Sequence, residues 1–114
     1  MKTAIYTRVS TEEQSRDGTS LDTQLDACQK ETTKIGYEVA PEHTFREVYS
    51  GLTLDRPQLE VLRRIVHNKA VDAVIVYTLD RFSRDPVHLT ILSDELDRAG
   101  VRLIAVTETV DSSD

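Results

Sequence analysis

The chain has 114 residues, 39% hydrophobic and 30% charged, which suits one compact domain with its own core and excludes both a two-domain protein and a disordered tract. Its 14 Lys and Arg against 20 Asp and Glu give a formal net charge of -6, so overall charge argues against nucleic acid, and any such role must rest on a local arginine cluster or on a basic part of the protein outside this sequence. The single cysteine, Cys28, excludes an internal disulfide and a cysteine-based zinc site, no apolar run approaches a membrane span, and the amino terminus lacks the regions of a signal peptide, so a cytoplasmic, reducing setting is expected.

A first strand is expected over residues 3–9, running straight into Ser10 and Thr11. Side chains alternate along a strand, which puts Tyr6, Arg8 and Ser10 on one face and Ile5, Thr7 and Val9 on the other. A guanidinium and a hydroxyl sharing one face at a strand end suit a nucleophilic or phosphate-contacting serine. The bland alternative is a strand that merely ends in polar residues. Residues 10–20 hold Glu12, Glu13, Arg16, Asp17 and Gly18, offer little to bury, and read as a mobile loop.

A first helix opens near Ser20, with Leu21, Leu25, Cys28, Thr32 and Ile35 at helical spacing, Asp22 in the first turn and Gly36 just past the end. Cys28 lies on that stripe and reads as packing rather than as a reactive thiol. A second strand falls within residues 37–48, interrupted near Pro41, because proline cannot donate to a ladder. After a turn beginning at Tyr49, Ser50 and Gly51, Asp55 reads as an acidic cap ahead of Pro57, and a second helix runs to about Asn68 on Leu59, Leu62, Ile65 and Val66. Residues 71–77 form a nearly continuous β-branched run, the pattern of a strand buried on both faces of a parallel sheet, and lead into Leu79, Asp80, Arg81, Phe82, Ser83 and Arg84. Asp85 and Pro86 open a third helix with Leu89, Leu92 and Leu96 inward and Gly100 as its stop. A fourth strand follows over residues 101–107, and the polar remainder, 108–114, has no partner element.

Strands alternating with helices predict an α/β domain, a mainly parallel sheet of four to five strands flanked by helices. Right-handed crossovers favour the order 2-1-3-4, which makes strands one and three neighbours. Ser10 and residues 80–84 then end adjacent strands at the crevice where the winding direction reverses, and should meet in space.

Elimination narrows the chemistry. A serine attacking a carboxylic ester wants a histidine base and a Gly-x-Ser-x-Gly elbow; the elbow is absent, and His43, His67 and His88 each read as surface or packing residues. With only four glycines there is no Walker loop. Asp72 and Asp80 fall at opposite ends of strand three, so no metal site is expected. What remains is Ser10 with Arg8, Arg56, Arg81 and Arg84. Phosphoryl transfer depends on positioning and on cations that neutralise the non-bridging oxygens, work that suits arginine's planar fork, and several arginines could also lower the effective pKa of a serine hydroxyl. The competing reading pairs Arg81 and Arg84 with Asp80 and Asp85 on the surface.

The combination Tyr6-Thr-Arg-Val-Ser-Thr-x-x-Gln14, Ser20-Leu-Asp-x-Gln24, Tyr49-Ser-Gly51, Asp55-Arg-Pro57 and Leu79-Asp-Arg-Phe-Ser-Arg84 resembles the catalytic domain of the serine recombinases, the resolvase, invertase and serine integrase family. The insertion at residues 16–19 and the Tyr-Ser-Gly-Leu segment are more similar to the large members, phage integrases and mobile-element transposases. The resemblance implies a resolvase-like catalytic domain over residues 1–114. It implies that Ser10 attacks a DNA phosphodiester to form a 5'-phosphoserine bond and release a 3'-hydroxyl. Arg8, Arg56, Arg81 and Arg84 match the arginines that bind the scissile phosphate, Asp80 the acidic residue beside them, and Tyr6, Gln14, Gln24 and Ser50 residues that shape the site. No cofactor, metal or ATP is implied. The implied partners are double-stranded DNA at attachment or resolution sites and further copies of the full-length protein, as homodimer and homotetramer, with no membrane involved.

Two departures accompany the resemblance. The place of a lysine found in helix two of some members falls near His67, with Lys69 two residues on, and Glu47 stands where an aspartate often precedes the Ser-Gly turn. The family's sheet is followed by a long oligomerisation helix and DNA-binding domains, and this sequence stops at Asp114 before them. An excised catalytic domain that binds DNA weakly by itself is therefore expected. The alternatives are a small resolvase or invertase, or a non-catalytic α/β module binding phosphate or protein; pure binding gives no reason for the serine nucleophile.

Overall fold

The computed structural model describes residues 1–10, 20–49 and 54–107. Gln14, Ser50, the turn at Gly51, most of the 10–20 segment and the polar end at 108–114 lie outside the described residues. Strands β1 (Lys2–Val9), β2 (Glu38–Val48), β3 (Ala73–Val76) and β4 (Arg102–Ala105) form one parallel sheet in the order β2-β1-β3-β4, as the crossover rule requires. The connections carry helices α1 (Leu21–Lys34), α2 (Pro57–His67), α3 (Leu79–Phe82) and α4 (Pro86–Arg98).

The sheet buries two unequal faces. Ala4, Tyr6, Phe45, Val74 and Val76 join Leu59, Leu62 and Val66 of α2, Phe82, and Leu92 and Leu96 of α4 in the main core. Ile5 and Ile75 face the other way and pack with Cys28 of α1. Burial lifts the Cys28 thiol to about 12, with the nearby Glu31 charge adding to the effect, which makes it packing rather than chemistry.

Local signals explain most element ends. The Ser20 hydroxyl accepts the Thr23 N–H at 3.1 Å, and Asp85 accepts the Val87 and His88 N–H groups at 2.8 and 3.4 Å, so both helices begin on side-chain caps. Gly36 and Gly100, at φ +76° and +73°, carry the left-handed turns that end α1 and α4. Three details depart from expectation. β2 continues through Pro41 instead of breaking: Thr3 pairs with Val39 and Ile5 with Thr44, so the ladder slips around the proline, as an edge strand permits. The N-cap of α2 is Arg56, not Asp55, and makes no side-chain cap bond. The segment after β3, to which no element was assigned, coils into the short helix α3.

No helix among the described residues is long and apolar enough to cross a membrane.

Candidate functional site

The site lies where β1 ends. Arg8 is held twice by one side chain: its N–H donates to Gln24 Oε1 at 3.1 Å and its carbonyl accepts from Gln24 Nε2 at 2.9 Å. Gln24 is fully buried on α1, so the helix behind the sheet fixes the backbone two residues before Ser10. On the other side the Tyr49 N–H reaches the Val9 carbonyl at 2.9 Å. Ser10 follows, half-buried.

Arg8 and Arg56 have no solvent exposure. Arg8 donates from Nε to the Arg81 carbonyl at 3.1 Å, from Nη2 to the Asp80 carbonyl at 2.9 Å and from Nη1 to the Tyr49 carbonyl at 2.9 Å. Arg56 donates from Nη2 to the Phe82 carbonyl at 2.6 Å and from Nη1 to the Tyr6 hydroxyl at 3.0 Å, and its guanidinium sits 5.7 Å from the Tyr6 ring centroid. Consecutive carbonyls at the end of α3, those of Asp80, Arg81 and Phe82, are thus satisfied by two buried cations, a favourable partner for the negative end of a helix. This explains how four residues persist as a helix with so little local reason to form one. Arg81 is nearly buried and turns its Nη1 towards the Arg8 carbonyl at 3.4 Å.

A carboxylate completes the network. Glu47, on β2, is 3% exposed, accepts the Tyr6 hydroxyl at 2.7 Å, and accepts the Gln58 and Leu59 N–H groups at 2.9 and 3.0 Å. The cap that α2 lacks at Arg56 is therefore supplied from the neighbouring strand. Burial pushes the Tyr6 phenol far above the ordinary tyrosine range; the Arg56 charge opposes this and the Glu47 carboxylate adds to it, so the phenol keeps its proton and donates. Sequence reasoning noted Glu47 only as a departure in residue type. The available signal was alternation, which turns Phe45 and Glu47 inward together.

Among the expected site residues, Tyr6, Arg8, Gln24, Arg56 and Arg81 converge around the strand end that carries Ser10. Asp80 is exposed; its carboxylate accepts the Thr78 hydroxyl while its carbonyl is bound by Arg8. Arg84 is exposed between Ser83 and Asp85, where the Ser83 hydroxyl accepts the Asp85 N–H at 3.2 Å and faces the Asp85 carbonyl at 3.3 Å, closing a tight turn. The burial of Arg81 removes it from the surface-pair reading. His67 closes the far end of α2, about 16 Å along the helix from Arg56, and Lys69 lies two residues beyond it.

The buried charged groups among the described residues are Arg8, Arg56, Arg81 and Glu47, an excess of positive charge under the end of β1. In a low-dielectric setting such an excess favours an anion at the strand end and stabilises negative charge developing there. Among the described residues no group of three or more His, Cys, Asp or Glu could hold a metal ion.

Comparison with known proteins identifies the arrangement. The family model for the resolvase N-terminal domain matches residues 3–114. The chain belongs to the resolvase family. Its fold is that of a serine recombinase catalytic domain: the N-terminal catalytic domain of TP901-1 integrase superposes with a TM-score of 0.90 at 37% identity, covering 100% of this chain and 84% of that one. The chain is 41% identical over 104 residues to a Bacillus subtilis (strain 168) protein whose name describes a DNA recombinase, covering 90% of this chain and 20% of that protein. It is 35% identical over 108 residues to the transposon Tn917 resolvase of Enterococcus faecalis, covering 95% of this chain and 50% of the resolvase. The resolvase domain described here thus spans between 20% and 50% of the length of these two relatives.

Proposed function

We propose that this chain is the catalytic domain of a cytoplasmic, site-specific DNA recombinase in which Ser10 is the nucleophile. The observation that carries the reading is the half-buried Ser10 at the end of a strand whose backbone is clamped by Gln24 and underlain by the guanidiniums of Arg8, Arg56 and Arg81. Ser10 Oγ attacks the phosphorus of a DNA phosphodiester, its proton leaves, and the bond to the 3'-oxygen breaks. The products are a 5'-phosphoserine ester and a 3'-hydroxyl. The ester conserves the bond energy, so the reverse attack by another 3'-hydroxyl rejoins the strands with no cofactor. Arg84, exposed, and Arg81, at the rim, are suited to direct phosphate contact. Arg8 and Arg56 contribute charge from below. Asp80 flanks the phosphate; Gln14 and Ser50 complete the site.

The partners proposed for the whole protein are double-stranded attachment or resolution sites and further copies of itself, up to a tetramer, with oligomerisation and DNA-binding segments outside this domain. The large integrase or transposase class is favoured over the small resolvases by the integrase superposition and by the 20% coverage of the Bacillus subtilis relative.

Denaturant quenching of full-length protein with its cognate DNA, followed by mass spectrometry of the DNA-linked peptide, tests the reaction. The expected adduct is a 5'-phosphate on Ser10, and Ser10→Ala should abolish it with melting temperature unchanged. An adduct on another residue, or one that survives Ser10→Ala, overturns the assignment.

A further inference from the structure

We infer that Tyr49 is a substrate-contacting residue, whose ring holds the deoxyribose joined through its 5'-oxygen to the scissile phosphate. The inference rests on the reaction proposed above and concerns the part of the substrate that the arginines leave unheld. The ladder between β1 and β2 pairs Arg8 with Glu47 and Val9 with Val48, and it runs one step further, since the Tyr49 N–H donates to the Val9 carbonyl at 2.9 Å. Tyr49 therefore stands beside Ser10, about 5 Å away across the strand pair. Alternation carries Phe45, Glu47 and Tyr49 to the face of Tyr6, Arg8 and Ser10. Phe45 and Glu47 are buried there, whereas Tyr49 is 42% exposed, the most open aromatic side chain among the described residues.

The backbone of Tyr49 is fixed on both sides. Its carbonyl accepts Arg8 Nη1 at 2.9 Å, and the same guanidinium donates to the Asp80 and Arg81 carbonyls of α3. One buried cation thus ties together two walls of a crevice whose floor is Ser10, with Arg81 and Arg84 on the β3 side and Tyr49 on the β2 side. A single exposed ring on an edge strand ordinarily needs no explanation. Here the stereochemistry of the attack supplies one. In-line displacement sets Ser10 Oγ and the leaving 3'-oxygen on opposite sides of the phosphorus, so the two non-bridging oxygens and the 5'-oxygen lie around its equator. Charge turns the non-bridging pair towards the arginines. The 5'-oxygen and its sugar then fall on the opposite wall, where the ring offers apolar surface to the C–H edges of deoxyribose. That sugar stays joined to Ser10 through the phosphate after cleavage, so the ring keeps hold of the 5'-phosphoserine end while the 3'-hydroxyl departs.

The test uses the full-length protein and its cognate DNA. In Ser10→Ala, nitration of Tyr49 by tetranitromethane, read by mass spectrometry of its peptide, should be lost when DNA binds, and it should stay lost in the covalent adduct of the wild type. Tyr37, at the other end of the sheet, should react alike with and without DNA. At saturating DNA, Tyr49→Ala should slow adduct formation about tenfold, the scale of one lost aromatic contact, with melting temperature little changed. Tyr49→Phe, which keeps the ring, should recover most of the rate. An abasic site at the nucleotide on the 5'-linked side should change the rate by the same factor in the wild type and in Tyr49→Ala, because the ring meets the sugar and not the base. An abasic loss that vanishes in Tyr49→Ala puts the ring on the base and overturns the assignment. Nitration of Tyr49 that DNA leaves unchanged, or an unslowed Tyr49→Ala, overturns it too. If Tyr49→Ala fails to fold, the nitration result carries the decision. Should the wild type form no adduct at Ser10, the reaction reading fails by itself, and protection of Tyr49 still decides whether the ring meets DNA.

Discussion

Two arginine–tyrosine pairs of nearly equal length lie at opposite ends of the sheet. Arg102 Nη1 meets the Tyr37 hydroxyl at 2.8 Å at the amino end, and Arg56 Nη1 meets the Tyr6 hydroxyl at 3.0 Å at the carboxyl end. Arg102 is exposed and the bond competes with water at every moment; Arg56 and Tyr6 are wholly buried and each has a further fixed partner. Length therefore says little about what such a contact contributes. Burial and onward connection decide it, because only in the buried pair does removing one member strand another polar group away from solvent.

Breaking the buried pair at its cation should have the largest effect. Arg56→Ala deprives the Phe82 carbonyl of a donor and empties the space beside Tyr6, and should cost about 3 kcal/mol or more in urea unfolding. Tyr6→Phe removes only the hydroxyl between Glu47 and Arg56 and should cost about 1–2 kcal/mol by the same measurement. Alkaline titration probes the buried groups without mutation. The folded chain raises both the Tyr6 phenol and the Cys28 thiol, so above pH 9.0, the ordinary thiol value, the unfolded chain binds fewer protons than the folded one. Their contribution to stability is complete below that pH and declines as pH rises towards about 12, which a falling urea midpoint between pH 8 and pH 11 would register, with a shallower fall in Cys28→Ala. Arg102→Ala, at the exposed pair, should shift stability by less than about 0.5 kcal/mol.

The contrast also separates what sequence could announce from what it could not. Strand order, helix faces, the caps at Ser20 and Asp85 and the glycine stops follow from periodicity and from the preferences of single residues, and each is present. That the end of β1 should lie beside residues 80–84 followed from topology alone, and Arg8 bonds the Asp80 and Arg81 carbonyls. The α3 helix was not legible, because four residues are shorter than any period and its carbonyls are satisfied by Arg8 and Arg56 from distant parts of the chain. Asp55 was assigned the cap of α2 by adjacency, whereas the carboxylate that does the capping comes from β2. Proline suggested a break in β2; the edge position let the ladder slip past it instead. In each case the deciding partner was remote in sequence and local only in space.

The double bond from Gln24 to Arg8 has one more consequence. A side-chain amide presents a donor and an acceptor as a peptide group does, so Gln24 stands in for a neighbouring strand at the point where β1 outlasts β3, whose pairing ends at Tyr6 and Val76. With this surrogate peptide keeping β1 extended, β3 is released from its duty as a neighbour two residues early. It can then turn aside into α3 and deliver arginines across the end of β1, where a continuing strand would have delivered only more backbone.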